Sequence, residues 1–341
     1  MRPVFRWKVG SRVLELGRRT LVMGIVNITP DSFSDGGRYY NPDHAIEHAL
    51  GMLEEGADII DIGGESTRPG ARVVPQAEQI VSVSDPAMGS GSASGQDCVA
   101  TAAGVETELQ HQRAVPPPAV SAEEELRRVL PVIRQVRRAV PQAILSVDTY
   151  KAEVARQAVE AGAEIINDVS AFRWDPLMAQ TVARSGCGAI LMHMRGRPEE
   201  WRNLPSIRGE ELLELVASDL REWATAAEQQ GIRREQIVVD PGFGFGKNYF
   251  ENYPLLARLG ELHRLGYPLL AGTSRKSFIG RTVGRGGESA PPTQRLYGTL
   301  ASVTASVLAG AHVVRVHDVT PAIEACAVAD AVLSAQRQDR V

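Results

Sequence analysis

The sequence is poor in the residues that build disulfide frameworks, zinc centres and nucleic-acid surfaces. Its 341 residues include 3 cysteines, Cys98, Cys187 and Cys326, which are far apart and form no CxxC pair. This spacing predicts neither a disulfide framework nor a zinc site, and it favours a reducing compartment, so we expect a cytoplasmic protein. The 37 lysines and arginines are outnumbered by 41 aspartates and glutamates, which gives a net charge of -4. That balance predicts no nucleic-acid binding, because such binding depends on clustered positive charge.

Long apolar runs are also missing. No stretch approaches the roughly 20 residues that a helix needs to cross a membrane, so we expect no membrane association. The basic segment 1–16 lacks the continuous apolar core of a secretory signal. Alternating residues around Gly10 and Ser11 predict a short N-terminal β-hairpin there instead.

What the chain does have is a regular alternation of short apolar runs with longer helical patterns. Almost continuously apolar runs are typical of parallel strands that are covered on both faces. Eight such runs, each followed by a helix, predict a single (β/α)8 barrel, the TIM barrel, as one domain over residues 1–341. The predicted strands lie at 21–26, 59–62, 144–147, 164–167, 189–192, 237–239, 269–272 and 313–316. The predicted helices lie at 42–55, 122–140, 151–161, 176–185, 209–230, 253–265, 294–309 and 321–336.

Residues 83–120 interrupt this alternation between the second strand and the second helix. The segment contains GSGSASG, many alanines and threonines, and the prolines 116–118. Such a small and polar composition offers little surface to bury, so we predict a disordered insertion.

Polar residues collect where the predicted strands end. In a barrel all these ends converge on one rim, where barrel enzymes place their chemistry. Solvated loops explain one polar end but explain poorly a whole set of carboxylates, amides and cations, so we predict an active site there. Asp168, at the fourth end, is expected to cap the following helix. The set includes Asn27, Asp148, Asn167, His193, Asp240, Lys276, Arg315 and His317.

The glycine-rich segment 242–247, GFGFGK, does not predict a nucleotide-binding P-loop. Asn248 follows Lys247 and the glycines alternate singly with phenylalanine, so the GxxxxGK[ST] spacing is absent. Alternating glycine and phenylalanine instead suits a loop in which backbone and rings approach a flat ligand.

Eight segments together resemble the dihydropteroate synthase family. They are NITPDSFSDGG, GGESTRPGA, SVDT, INDVSA, LMHM, DPGFGFGKN, TSRKSFIG and RVHDV, in the family's order and at the corresponding strand ends. The resemblance covers nearly the whole chain outside 83–120. It implies a transferase of folate biosynthesis that joins 6-hydroxymethyl-7,8-dihydropterin diphosphate to p-aminobenzoate and releases pyrophosphate. It also implies Mg²⁺ as cofactor, a homodimer, and inhibition by sulfonamides, which mimic the second substrate.

The resemblance further implies roles for individual residues. The expected catalytic residues are Asp148, Asp240 and Lys276. Pterin contacts are expected from Asp148, Asn167, Met192, Asp240, Phe245, Lys276 and Arg315. Pyrophosphate contacts are expected from Asn27, Arg68, Arg315 and His317, with Asn27 also the Mg²⁺ ligand. The p-aminobenzoate site is expected to be formed by Phe33, Thr67, Pro69 and Ser277, with Arg68 closing over it.

These residue types suit such chemistry. A buried carboxylate beside an amide matches the donor-rich edge of a pterin. A planar arginine can stack on a ring and also pair with phosphate oxygens. Magnesium that binds through substrate phosphates needs few protein ligands. We hypothesise Mg²⁺-assisted loss of pyrophosphate, followed by attack of the aniline nitrogen on a cationic pterin methylene that Asp148 stabilises.

Other functions remain open from the residues alone. A pterin-dependent corrinoid methyltransferase shares the fold, but it is not expected to carry both STRPGA and SRKS. A Schiff-base aldolase would use Lys276 as its nucleophile and would need a lowered lysine pKa, for which the neighbouring Arg275 is a candidate cause. A catalytically inactive binding protein is disfavoured by the intact set of polar rim residues.

Overall fold

The computed structural model describes residues 2–28, 42–65 and 120–338. The N-terminal hairpin is confirmed: β1 (Phe5–Val9) pairs antiparallel with β2 (Arg12–Leu16). The insertion predicted at 83–120 lies outside the described residues except for Val120, so it stays a prediction.

Eight parallel strands follow one another around a barrel. Each pairs with its neighbours in chain order, and the last strand returns to the first. A parallel bridge between Val239 and Leu269 joins the two ends of the sheet and closes the circle. The predicted (β/α)8 barrel is therefore confirmed. Its strands are β3 (Leu21–Asn27), β4 (Ile59–Gly63), β5 (Ile144–Asp148), β6 (Ile165–Asp168), β7 (Gly188–Met192), β8 (Ile237–Asp240), β9 (Leu270–Ala271) and β10 (Val313–Val316).

The helices surround this barrel. They are α1 (Pro42–Glu54), α2 (Ala122–Ala139), α3 (Ala152–Ala161), α4 (Met178–Ser185), α5 (Gly209–Gln229), α6 (Asn252–Ala257), α7 (Ser277–Val283), α8 (Leu296–Leu308) and α9 (Val319–Gln338). The start of α2 shows why its sequence begins a helix: the Ser121 side chain accepts from the backbone N–H of Glu124 at 3.1 Å. Three glutamates follow in the first turn, where they oppose the positive end of the helix dipole.

Two helical segments differ from the prediction. The helix expected at 253–265 ends as α6 at Ala257 and continues as a 3-10 segment, Leu259–Leu265. Gly260 lies in that segment, where a Cβ atom would come within 2.8 Å of the Ala309 carbonyl oxygen, so packing against the end of α8 shapes the backbone. Helix α7 was not predicted, because seven residues are too short to show a clear periodicity.

The N-terminal end of the barrel is closed by the hairpin. Trp7 is fully buried in an apolar cluster with inward-facing strand residues such as Ile59, Ile190 and Val238. Its indole N–H donates to the carbonyl oxygen of Gln236 at 2.8 Å, which satisfies the one polar atom of the ring. The hairpin thus fills the N-terminal end of the barrel, which leaves the C-terminal ends of the strands as the place for a ligand.

Candidate active site

A cavity of about 860 Å³ opens at the C-terminal end of the barrel. The convergence of the strand ends is therefore observed, although the roles of the residues stay predictions. Ten of the predicted site residues line the cavity: Asn27, Asp148, Asn167, Met192, Asp240, Phe245, Lys276, Ser277, Arg315 and His317. Four others, Phe33, Thr67, Arg68 and Pro69, lie outside the described residues.

Strand register explains why residues distant in sequence meet here. Asp148 and Asn167 are direct neighbours across β5 and β6, and Met192 lies opposite Asp240 across β7 and β8. Side chains alternate between the two faces of a strand, so residues at matching register near the strand ends project into the same layer of the barrel. Four consecutive strands thus supply two carboxylates, an amide and a thioether to one wall.

A buried ionic cluster forms the floor of the cavity. Arg315 donates from Nε to Asp61 Oδ2 at 2.6 Å and from Nη2 to Asp148 Oδ2 at 2.7 Å. Asn167 donates from Nδ2 to the same Asp61 oxygen at 2.9 Å. Asp61 was missed by the sequence analysis. The available signal was a carboxylate in the middle of the apolar strand IIDIG, because a buried charge requires partners.

Burial perturbs the titration of the groups in this cluster. Burial raises the pKa of Asp148 to about 7, although Arg315 beside it acts in the opposite direction. Burial also raises the pKa of Asp240, against the lowering effect of a hydrogen bond from the Gly242 N–H at 2.7 Å. Burial and, to a lesser degree, Arg315 lower the pKa of Lys276 to about 7.

The surroundings of Lys276 are only partly those expected. Its ammonium group lies 3.9 Å from the centre of the Phe245 ring, and the charges of Asp240 and Asp148 act to raise its pKa. Arg275, the candidate cause named from the sequence, is not among the causes of the lowered Lys276 pKa. The Arg275 guanidinium pairs with Asp318, donating from Nε at 3.0 Å.

The lysine of the GFGFGK segment, Lys247, holds the segment by hydrogen bonds to its backbone. Lys247 lies 2.9 Å from Nδ1 of His193 and donates to the carbonyl oxygens of Gly242 at 2.9 Å and Phe245 at 3.2 Å. Burial lowers its pKa to about 7. Gly242 has a φ of +67°, and a Cβ atom there would lie 1.9 Å from the carbonyl oxygen of His193. The segment therefore lies directly on the end of β7.

Two rim residues have structural rather than cavity positions. His193 is fully buried behind the cavity, with Nε2 3.2 Å from Asp219 Oδ2. Asp168 does not cap a helix, because α4 begins only at Met178. Its carboxylate instead accepts from the backbone N–H groups of Ser170 at 2.6 Å and Phe172 at 3.1 Å, which holds the turn after β6.

The mouth of the cavity combines His317 with neighbouring loop residues. Nδ1 of His317 lies 2.9 Å from Oγ of Ser274, which links the end of β10 to the loop after β9. Asn27, at the end of β3, lines the cavity, and its side-chain amide has one oxygen that can ligate a cation. Within residues 2–28, 42–65 and 120–338 no group of three or more His, Cys, Asp and Glu could hold a metal ion. That donor set fits Mg²⁺ bound mostly through phosphate and water oxygens rather than in a protein cage.

Among the same described segments, no helix is long and apolar enough to cross a membrane.

Comparison with known proteins places this chain in a family. The model of the family described as "Pterin binding enzyme" matches residues 23–85 and 113–317. The dihydropteroate synthase of Escherichia coli strain K12 is 40% identical over 319 residues, which cover 94% of each chain.

Two solved structures from Xanthomonas albilineans are similar throughout. One is dihydropteroate synthase with 4-aminobenzoic acid, with 40% identity, a TM-score of 0.75, and coverage of 97% of this chain and 99% of that one. The other is dihydropteroate synthase in complex with 7,8-dihydropteroate, with 37% identity, a TM-score of 0.71, and coverage of 96% and 98%. On this evidence the chain belongs to the pterin-binding enzymes and, among them, to the dihydropteroate synthase family.

Proposed function

We propose that this protein condenses 6-hydroxymethyl-7,8-dihydropterin diphosphate with p-aminobenzoate to give 7,8-dihydropteroate and pyrophosphate. The observation that carries the proposal is the composition of the cavity wall. The acceptor groups of Asp240 and Asn167 line the same cavity as the cations of Lys276 and Arg315 and as His317. This set of groups matches a substrate that carries both a donor-rich ring and a diphosphate.

Recognition of the ring follows from the buried polar groups. The Asp240 carboxylate and the Asn167 amide would accept from the amino and ring N–H groups of the pterin, and Lys276 would donate to its carbonyl oxygen. Met192 and Phe245 would contact the ring faces. Each unmatched buried polar atom would cost about 1–3 kcal/mol, so rings lacking these donors would bind weakly.

In the reaction, the C–O bond between the pterin methylene and the diphosphate breaks, and its electron pair leaves with pyrophosphate. The aniline nitrogen then forms the new C–N bond and passes one proton to solvent water. Arg315, His317, Asn27 and Arg68 would hold the leaving group, since their donors suit phosphate oxygens. Mg²⁺, held by Asn27 and the diphosphate, would neutralise negative charge on that group.

Asp148 would oppose the positive charge that develops on the pterin methylene. A carboxylate about 5 Å from such a charge, at an effective dielectric near 20, contributes roughly 3 kcal/mol. That corresponds to a rate factor of a few hundred. Alignment of two substrates in one cavity can contribute about 7–11 kcal/mol, so positioning outweighs any single charge.

The family implies a homodimer, and the outer helices support one. Exposed apolar side chains lie on α8 and α9, namely Tyr297, Leu308, Val328 and Val332. We propose that these two helices form the dimer contact and that the protein works in the cytoplasm. Light scattering after size-exclusion chromatography should give twice the chain mass, and a monomer at micromolar concentration would contradict the dimer.

The decisive test is release of pyrophosphate by the purified protein. We expect release only with both substrates and Mg²⁺, formation of 7,8-dihydropteroate in equal amount, and competition by a sulfonamide against p-aminobenzoate. Asp148→Asn should lower kcat far more than pterin affinity. Pyrophosphate release that yields no 7,8-dihydropteroate when both substrates are present, or covalent trapping of a carbonyl substrate on Lys276 by borohydride, would contradict the proposal.

A further inference from the structure

We propose that Asp61 is a positioning residue that fixes which side of the Asn167 amide faces the cavity, and that it thereby selects a 2-amino ring over a 2-oxo ring. The proposal deepens the proposed function and rests on it. Asp61 lies on β4 in the layer below the cavity and is fully buried. It does not line the cavity itself, so it would act through its neighbours.

In every hydrogen bond between the described residues and the Asp61 side chain, the carboxylate is the acceptor. Ser146 donates from Oγ to Oδ1 at 2.5 Å, while Arg315 and Asn167 both donate to Oδ2, at 2.6 and 2.9 Å. An ionised carboxylate offers only acceptor atoms. The Asn167 atom that faces it must therefore be the amide nitrogen, since an amide oxygen there would oppose one acceptor with another.

This contact determines what Asn167 shows to a ligand. With Nδ2 turned down to Asp61, Oδ1 is directed to the cavity, which Asn167 lines. No group in the described part of the chain donates to that oxygen. The cavity thus presents two acceptor groups, this amide oxygen and the carboxylate of Asp240, to the deep end of a ligand.

A ring with an amino group at position 2 satisfies both acceptors, because the amino group carries two hydrogens. A ring with an oxygen at position 2 would place a third acceptor against them. Rejection of such a ring depends on the amide being unable to turn over. Asp61 supplies that constraint, and no other described residue holds the Asn167 side chain by a hydrogen bond.

The test compares equilibrium binding of 6-hydroxymethylpterin with that of its 2,4-dioxo counterpart, a lumazine. We expect the wild-type protein to prefer the pterin strongly. Asp61→Leu removes the acceptor, so Asn167 can turn and offer Nδ2 to the lumazine oxygen, and the preference should fall by about tenfold or more. Asp61→Asn can still accept from Asn167 through its own amide oxygen and should keep most of the preference.

Ser146→Ala is the matched control. It removes a hydrogen bond to the same carboxylate but leaves the bonds from Asn167 and Arg315 intact. The preference should stay within about threefold of wild type, since neither Asn167 nor Arg315 loses its partner. If Asp61→Leu does not fold, Asp61→Ser removes the carboxylate without adding a branched apolar group and serves the same comparison.

An equal loss of affinity for both ligands in Asp61→Leu or Asp61→Ser would overturn the proposal, because it would show a structural role only. A wild-type protein that binds both rings equally would overturn it as well. Failure of the wild-type protein to bind either ring would instead overturn the proposed function.

Discussion

Replacing Arg315 with methionine should destabilise the protein, because it leaves two carboxylates in the barrel without their counter-charge. The Asp61 side chain is fully buried, and those of Asp148 and Arg315 are only 15% and 19% exposed. Charges about 4 Å apart attract by about 4 kcal/mol at an effective dielectric near 20. Loss of one partner of a buried pair typically costs about 3–5 kcal/mol. We expect about 3 kcal/mol for Arg315→Met, because solvent still reaches part of the cluster.

The loss should depend on pH through Asp148. Its pKa is raised to about 7, and removal of Arg315 would raise it further. Below its folded pKa and above its unfolded value of about 3.9, the folded protein holds a proton that the unfolded chain has released. Stability therefore falls with rising pH across that range, and the range extends further in the variant. Arg315→Met should lose more free energy of unfolding at pH 8.5 than at pH 6.

The assay is urea denaturation of the wild type, Arg315→Met, Asp148→Asn and the double variant at both pH values. The double variant should recover part of the stability, with a coupling free energy of about 2 kcal/mol at pH 8.5. If the two single losses add to within about 0.5 kcal/mol, or if Arg315→Met is equally destabilised at both pH values, the ion pair does not hold the barrel floor as described.

Three further outcomes are expected. Trp7→Phe should keep an aromatic ring buried but leave the Gln236 carbonyl oxygen without its donor. Urea denaturation should then give a free energy of unfolding about 1–3 kcal/mol lower, with kcat unchanged. A loss of kcat would contradict a purely structural role for Trp7. Lys276 carries its charge below a pKa of about 7, so kcat/KM should fall above that pH, and Lys276→Arg should move this alkaline limb upward; an unmoved limb would assign it to another group. Lys247→Met removes a donor to the carbonyl oxygens of Gly242 and Phe245. The Kd for pterin should rise at pH 6, where the wild-type lysine is charged, and should rise less at pH 9. An effect that does not depend on pH would show that the charge of Lys247 does not hold the loop.

The elements were predictable to different degrees. All eight barrel strands were predicted, because a buried parallel strand appears in the sequence as a continuous run of apolar residues. Helix α7 was not, since seven residues give too little periodicity. The prediction that Asp168 caps a helix was wrong about the helix. Its carboxylate does accept from backbone N–H groups, but these belong to a turn. Local sequence identifies a capping side chain more readily than it identifies the backbone being capped.

The site shows the same division. Polar residues at strand ends indicated a converging set, and seven of the eight named from that pattern line the cavity, with His193 the exception. Asp61 and Lys247 act from behind the cavity wall. Their importance depends on contacts that no local pattern contains. Lys247 could be noted as part of a motif, but only the folded chain shows that it binds the carbonyl oxygens of its own loop.

The sequence by itself determined the barrel, the hairpin and the family, because apolar periodicity and contiguous motifs are local properties of the chain. Only the tertiary structure decided that Asp61 pairs with Arg315, a residue 254 positions away, and that the same carboxylate also accepts from the Asn167 amide. The physical reason is that a buried charge must find its partners in space. Barrel closure, rather than sequence proximity, determines which residues those partners are.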